Sequence, residues 1–410
     1  MPFPWTGATA IGLALALSPT PSPTPSPTPA TTPVVRCEPE PGVAEVTGEP
    51  WPQQRLRFQR VWRLTRGEGV TVAVVDSGVD ATHPQLSGVV IREEDLTGTD
   101  RRDCVGHGTA VAGIIAGRDL TSRGVPVMGV APDARILSIK QTEGRSGDVA
   151  RLARGIRRAA DLGADVINVS VQAQDHPDLK AAVTYAQDKD AVIVAAAGNV
   201  KQDDGAVAAA YPAEYPGVIA VGSASPDGAK SEFSNGVTRI SVTAPGAGIT
   251  SAWTGGGYRT ELDGTSFAAP FVSGVVALVR ARHPDLDHWQ IKRRLERTAE
   301  GGGAAGTGAG LINPLLAVTS VTPPTEERAA APPIVLARAP VPDARKQAIA
   351  IGIAASALGA TTLVVFLALT LPRARRRGWR AGNARGTRGE HSDTYRKVER
   401  VARLVRPRLR

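Results

Sequence analysis

Seven residues, Gly264-Thr265-Ser266-Phe267-Ala268-Ala269-Pro270, run without a break into the apolar stretch Phe271 to Leu278. The junction reads as a turn leading into a buried helix. Thr265 or Ser266 stands where it can cap that helix, and Pro270 falls in the first turn, where a missing N–H costs little. Val272, Val275, Val276 and Val279 follow at spacings of three and four, which carries a core-facing stripe along the helix. Ala268 and Ala269 let other backbone approach closely. A serine at a helix start lies where unpaired N–H groups and the helix dipole favour negative charge. That place suits a nucleophile whose reaction builds an oxyanion. Taken alone, the stretch is equally a capped helix with a small-residue packing face.

The surrounding sequence supplies an α/β frame. Val70 to Val75 is a buried strand ending at Asp76, and Ala134 to Ile139, Asp165 to Val171, Ala191 to Ala197, Val218 to Ser223 and Ile240 to Ala244 are further strands. Helices are expected over Thr109 to Ala116 and Asp148 to Leu162. Strands alternating with helices imply a parallel sheet covered on both faces. Only 4% of residues are aromatic, so Ala, Val, Ile and Leu must build the core.

In an open α/β sheet, side chains beyond the carboxyl ends of strands gather along one crevice. Asp76 ends a strand, His107 opens a helix in Gly106-His107-Gly108-Thr109, and Ser266 opens the central helix. This trio fits nucleophilic acyl transfer. Ser266 would attack a carbonyl carbon, His107 would take and return the proton, and Asp76 would hold the imidazole. Asn199 follows the apolar strand ending in Ala195-Ala196-Ala197-Gly198. Its amide and the Ser266 backbone N–H would form the oxyanion hole.

The chain outside this domain reads as exported and anchored. Residues 1–17, with the apolar run Ile11 to Leu17, resemble a signal peptide that lacks a basic start. Residues 18–33 are a Ser-Pro-Thr-Pro spacer, which forbids helix and sheet. Residues 34–64 form an N-terminal extension, 65–318 the catalytic domain, and 319–347 a Pro- and Ala-rich linker. Residues 348–371 carry no charge over a length sufficient to span a bilayer. The tail 372–410 holds fourteen Lys and Arg against three Asp and Glu, a net +11 that exceeds the +9 of the whole chain. The remainder is therefore slightly acidic, which argues against a nucleic-acid-binding core. By the positive-inside rule the tail is cytoplasmic and the large domain lies outside a single-pass membrane protein. The basic tail suits inner-leaflet lipid. Two cysteines, Cys37 and Cys104, would pair in an exported protein and stay separate in the cytosol.

Val72-Ala-Val-Val-Asp-Ser-Gly-Val79, Gly106-His-Gly-Thr-Ala-Val-Ala-Gly113 and Gly264-Thr-Ser-Phe-Ala-Ala-Pro270 resemble the three signature motifs of the subtilisin-like serine proteases, in the same order. The resemblance covers about Thr65 to Val318, and Asn199 matches the family's oxyanion-hole asparagine. It implies a three-layer fold with a mostly parallel central sheet flanked by helices, and a serine endopeptidase without a cofactor. It also implies an extended peptide substrate pairing with two backbone segments, here Asn168, Val169 and Ser170 on one side and Ala196, Ala197 and Gly198 on the other. The usual glycine after Ser170 is absent. Val171 and Gln172 stand there, which leaves the specificity pocket open.

The whole architecture resembles the mycosins, membrane-anchored proteases associated with type VII secretion. That resemblance implies limited processing of a secreted substrate, contact with secretion-complex components, and a disulfide joining Cys37 to Cys104. Closing such a loop stabilises by roughly 4 kcal/mol in the chain-entropy model. The extension would then stay attached and wrap the domain. A mainly structural subunit of the secretion complex and a general degradative ectoprotease are the rival readings.

Other residues rank lower. His83 reads as a loop contact, and Asp103 as a solvated neighbour of Cys104. Asp203 and Asp204 lack the alternating oxygen pattern of a calcium loop, so no metal site is expected. The run Arg280, Arg282, Lys292, Arg293, Arg294 and Arg297 reads as a solvated helix face.

Overall fold

A computed structural model describes residues 37, 40, 42–43, 45–144, 148–200, 208–321 and 344–376. The signal-peptide, proline-rich spacer and tail expectations lie outside the described residues, as do Asp203, Asp204 and most of the linker. In chain order the main elements are α1 (Trp51–Leu56), β1 (Thr71–Asp76), β2 (Val90–Asp95), α2 (His107–Ala116), β3 (Arg135–Lys140), α3 (Val149–Asp161) and β4 (Val166–Val169). There follow α4 (Pro177–Asp188), β5 (Val192–Ala196), β6 (Ile219–Ala224), β7 (Val242–Pro245), β8 (Ile249–Ala252), β9 (Tyr258–Leu262) and α5 (Thr265–Arg282). The domain ends with α6 (His288–Thr298), β10 (Glu300–Gly301), β11 (Gly310–Leu311) and α7 (Pro314–Thr319).

Nine strands form one sheet in the order β10-β11-β7-β6-β5-β4-β1-β3-β2. All neighbours in it are parallel except β10 and β11. Strand side chains alternate between two faces, and both are buried here. Val72 and Val74 of β1 join a core with α2 and α5, whereas Ala73 and Val75 join a second core with α3 and α4. Val192 and Val194 against Ile193 and Ala195 repeat this division on β5. The strands therefore read as continuous apolar runs. Ala110, Ala112, Ala268, Ala269 and Ala277 are all fully buried, and such small side chains let α2 and α5 lie close.

The expected wrapping by the extension takes a definite form. Cys37 and Cys104 are bonded, with Cα atoms 4.9 Å apart. Val43 and Tyr258 exchange backbone hydrogen bonds of 2.7 and 2.8 Å, which adds an antiparallel residue beside the β8–β9 hairpin. Gln53 donates to Pro126 O and accepts from Met128 N–H. Leu56, Phe58 and Val61 enter the same core as α5. Residues 45–64 thus share the core of the catalytic domain.

Two basic residues of the expected solvated face are instead buried. Arg280 pairs with Asp190 at 2.9 Å and donates to Leu286 O. Arg294 donates to the carbonyls of Ala317, Val318 and Ser320. Each guanidinium satisfies backbone carbonyls at or near helix ends, a use that a charge count does not reveal.

The second compact unit, from Thr325 onward, contains the helix α8 (Ala344–Arg376). Its Ala348–Leu369 portion, with mean hydropathy 2.1, is long and apolar enough to cross a membrane.

Candidate active site

The carboxyl ends of β1, β4 and β5 lie side by side in the sheet. Asp76 is the last residue of β1 and is buried, 1% exposed. Its Oδ1 accepts from the Ser77 N–H at 2.8 Å and lies 2.7 Å from His107 Nδ1. A buried carboxylate on Nδ1 fixes the imidazole tautomer and leaves Nε2 as the working nitrogen. The His107 ring also packs on Phe267, with centroids 5.1 Å apart. Phe267 is the neighbour of Ser266, so this contact brings the start of α5 beside the imidazole.

The loop that presents His107 is organised by Asp103. This residue is 3% exposed, which corrects the expectation of a solvated side chain. Its two oxygens accept five hydrogen bonds, from Ser77 Oγ and from the backbone or side chain of Val105, Gly106 and Thr109. Three of these donors are N–H groups, those of Val105, the N-cap Gly106 and Thr109 in the first turn of α2, where no intrahelical acceptor exists. Asp103 thereby ties α2 to the residue after Asp76. Gly106, with φ +87°, is required twice over: a Cβ there would stand 2.3 Å from the Trp253 ring. Trp253 in turn donates to Glu40 O in the extension.

The start of α5 departs from its sequence reading. Gly264 is the N-cap, no side chain caps the helix, and Thr265 and Ser266 are its first residues. Pro270 therefore lies beyond the first turn, and its missing N–H leaves the Ser266 carbonyl without the usual i+4 donor. Ser170 Oγ supplies the donor at 2.8 Å. It is held in turn by Asn168 Nδ2 at 2.9 Å, and Asn168 Oδ1 accepts from Ser273 at 2.8 Å. A relay of three side chains thus compensates for one proline and pins the Ser266 backbone.

Asn199 completes the cluster. Its Oδ1 accepts from both the backbone N–H and the hydroxyl of Thr265, at 3.0 and 2.9 Å. With Oδ1 occupied, Nδ2 is the part of the amide left to donate. A Cβ built on Gly264 would stand 2.9 Å from Ser266 Oγ and 3.4 Å from Asn199 Nδ2, so both atoms border one small space that only glycine leaves open. The sequence did not mark Thr265 or Ser77 for these tasks. Asp103 carried no such signal either, because it lies three residues before the Gly106 N-cap and reaches the helix start only through the folded loop.

The expected substrate segments are buried where they leave the sheet. Asn168 and Val169 are fully buried in β4, which lies between β1 and β5. Ala196 pairs with Val221 on β6, and both Ala197 backbone groups are used, by Val221 O and Thr238 Oγ1. Ser170 and Gly198 are buried as well, and the accessible rim begins at Val171, Gln172 and Asn199. His83 is the loop contact expected: its Nε2 is 2.9 Å from Gly257 O, and burial pushes its pKa below the ordinary histidine range. Among the described residues no group of three or more His, Cys, Asp or Glu is arranged to hold a metal ion.

A family model described as the Subtilase family, Peptidase S8, matches residues 67–327. Mycosin-4 of Mycobacterium tuberculosis is 39% identical over 335 residues, covering 70% of this chain and 73% of its own length. Mycosin-3 of the same organism is 37% identical over 396 residues, covering 80% and 85%. The solved structure of the MycP3 protease from the type VII (ESX-3) secretion system superposes with a TM-score of 0.60 at 34% identity, covering 68% of this chain and 91% of that one. The chain belongs to the subtilase family of serine endopeptidases and resembles its mycosin members.

Proposed function

We propose that Asp76, His107 and Ser266 are the catalytic residues of this peptidase, and that Asn199 with the Ser266 N–H forms its oxyanion hole. The observation that carries the reading is the 2.7 Å contact of Asp76 with His107 Nδ1, beside a serine whose Oγ shares one space with Asn199 Nδ2. His107 Nε2 takes the Ser266 proton as Oγ attacks the scissile carbonyl carbon. The carbonyl π electrons move to oxygen, and the two N–H donors receive that charge. Collapse expels the amine, which takes the proton from His107 and leaves an acyl-enzyme. Water then repeats the sequence and frees the serine. The start of α5 adds N–H groups and a positive dipole end where the oxyanion forms.

The reading extends to place and partners. A 22-residue apolar helix followed by a basic tail supports a single-pass anchor with the tail in the cytoplasm and the catalytic domain outside. Likeness to mycosins and to a protease from a type VII secretion system supports limited cleavage of a secreted protein next to that machinery.

The test uses cells lacking this chain, complemented with wild type or with Ser266→Ala. Loss of processing of a secreted protein in the alanine cells is the expected result. Secretion and processing that both survive Ser266→Ala but fail on deletion would favour a structural subunit. Resistance of the tail, and not the domain, to protease added to intact cells tests the orientation.

A further inference from the structure

The position after Val171 carries a side chain that spans the site. Gln172 stands three residues beyond the end of β4, and its neighbour Ala173 is bonded to Tyr211 through both backbone groups, at 2.8 and 3.1 Å. From this fixed point the Gln172 side chain reaches across to the segment that follows β5. Its Oε1 accepts from the Asn199 backbone N–H at 3.3 Å. A Cβ on Gly198 would stand 2.5 Å from that oxygen and 3.0 Å from the Ala210 Cβ. The carboxamide therefore lies against Gly198, between the two segments that leave the sheet on either side of Ser266.

That gap is where the substrate's P1 side chain, next to the attacked carbonyl, must go. The carbonyl carbon is placed by Ser266 Oγ and its oxygen by Asn199 Nδ2. Ser170 holds the Ser266 carbonyl, so the chain from Ser170 to Gln172 bounds the same space on the β4 side. A glycine at position 172 would leave the gap open to a large side chain. Glutamine fills it and is tethered in place.

We infer that Gln172 is the specificity-determining residue at P1, restricting cleavage to substrates with a compact side chain, such as alanine or serine, and rejecting aromatic ones. This inference rests on the proposed roles of Ser266 and Asn199. Gln172 is exposed, so replacing it does not disturb either core.

The test uses the full chain in detergent and paired fluorogenic peptides that differ only in Ala or Phe at P1. The readout is the ratio of kcat/KM for the two. Removing Gln172 also removes the acceptor of the Asn199 N–H, which slows both peptides alike and cancels in the ratio. Wild type is expected to favour Ala, and Gln172→Gly to shift the ratio toward Phe by about tenfold or more, the scale set by side-chain fit in a pocket. Gln172→Glu fills the same volume, keeps the acceptor, and should retain the preference for Ala. A fluorophosphonate, which carries no P1 side chain, is run in parallel. A labelled Ser266 with a ratio unmoved by Gln172→Gly overturns the assignment of Gln172 while leaving the peptidase intact. Absence of labelling overturns the peptidase reading and this inference with it.

Discussion

The two sides of Ser266 are built differently. On one side, Asp76 and Asp103 are 1% and 3% exposed, and the loop holding His107 is fixed by five hydrogen bonds, a disulfide to the extension and the Trp253 ring. On the other side, Asn199 is exposed, and its side-chain oxygen rests on two groups of a single residue, Thr265. The difference fits the roles proposed for the two sides. Proton transfer needs one tautomer and one geometry, which burial and redundant contacts enforce. Oxyanion binding and substrate recognition need surface that a peptide can reach. One half is over-determined and closed, and the other is lightly held and open.

Substitutions on the two sides should therefore fail in different ways. The largest effect is expected from Asp76→Asn, which keeps the shape of the side chain but presents the wrong hydrogen-bonding character to His107 Nδ1. A loss of about 10⁴ in kcat is expected, with little change in KM, measured on a cleaved peptide. Asn199→Ala is expected to lower kcat by about 10²–10³ and to lower the melting temperature only modestly, because it removes a transition-state donor together with the acceptor of two Thr265 groups. A drop in melting temperature comparable to that of a core substitution would break the proposed contrast.

Asp103→Asn sharpens it. An amide can replace only one of the two carboxylate oxygens as an acceptor, so it turns NH₂ toward donors that it cannot satisfy. A loss of about 2 kcal/mol of stability is expected, together with a lower kcat, from thermal unfolding and kinetics on the same sample. Unchanged stability would mean that the His107 loop is not held as its hydrogen bonds imply.

The motif residues were legible because their chemistry is local. Asp76 ends an apolar run, His107 sits among glycines that a helix start requires, and Ser266 precedes a stripe of valines. Residues whose roles depend on where the sheet stops were not. Asn168 and Val169 are buried by the register of β4 in the sheet, and the accessible rim starts only at Val171 and Gln172. Pro270 looks like a first-turn residue in the sequence because Thr265 and Ser266 resemble caps, whereas the helix starts one or two residues earlier, at the Gly264 N-cap. The resulting demand for Ser170 and Asn168 appears only when both elements are in place. Asp103, Arg280 and Arg294 misled for the same reason: a charge in sequence looks solvated until the backbone groups it satisfies are brought to it.

Intact-protein mass spectrometry after fluorophosphonate treatment tests the central geometry most directly. Wild type should gain one adduct, mapped by digestion to the peptide containing Ser266. Ser266→Ala should gain none, and His107→Ala should react far more slowly while remaining folded. An adduct on another serine, or equal labelling of the wild type and the alanine protein, would contradict the assignment of Ser266 as the nucleophile.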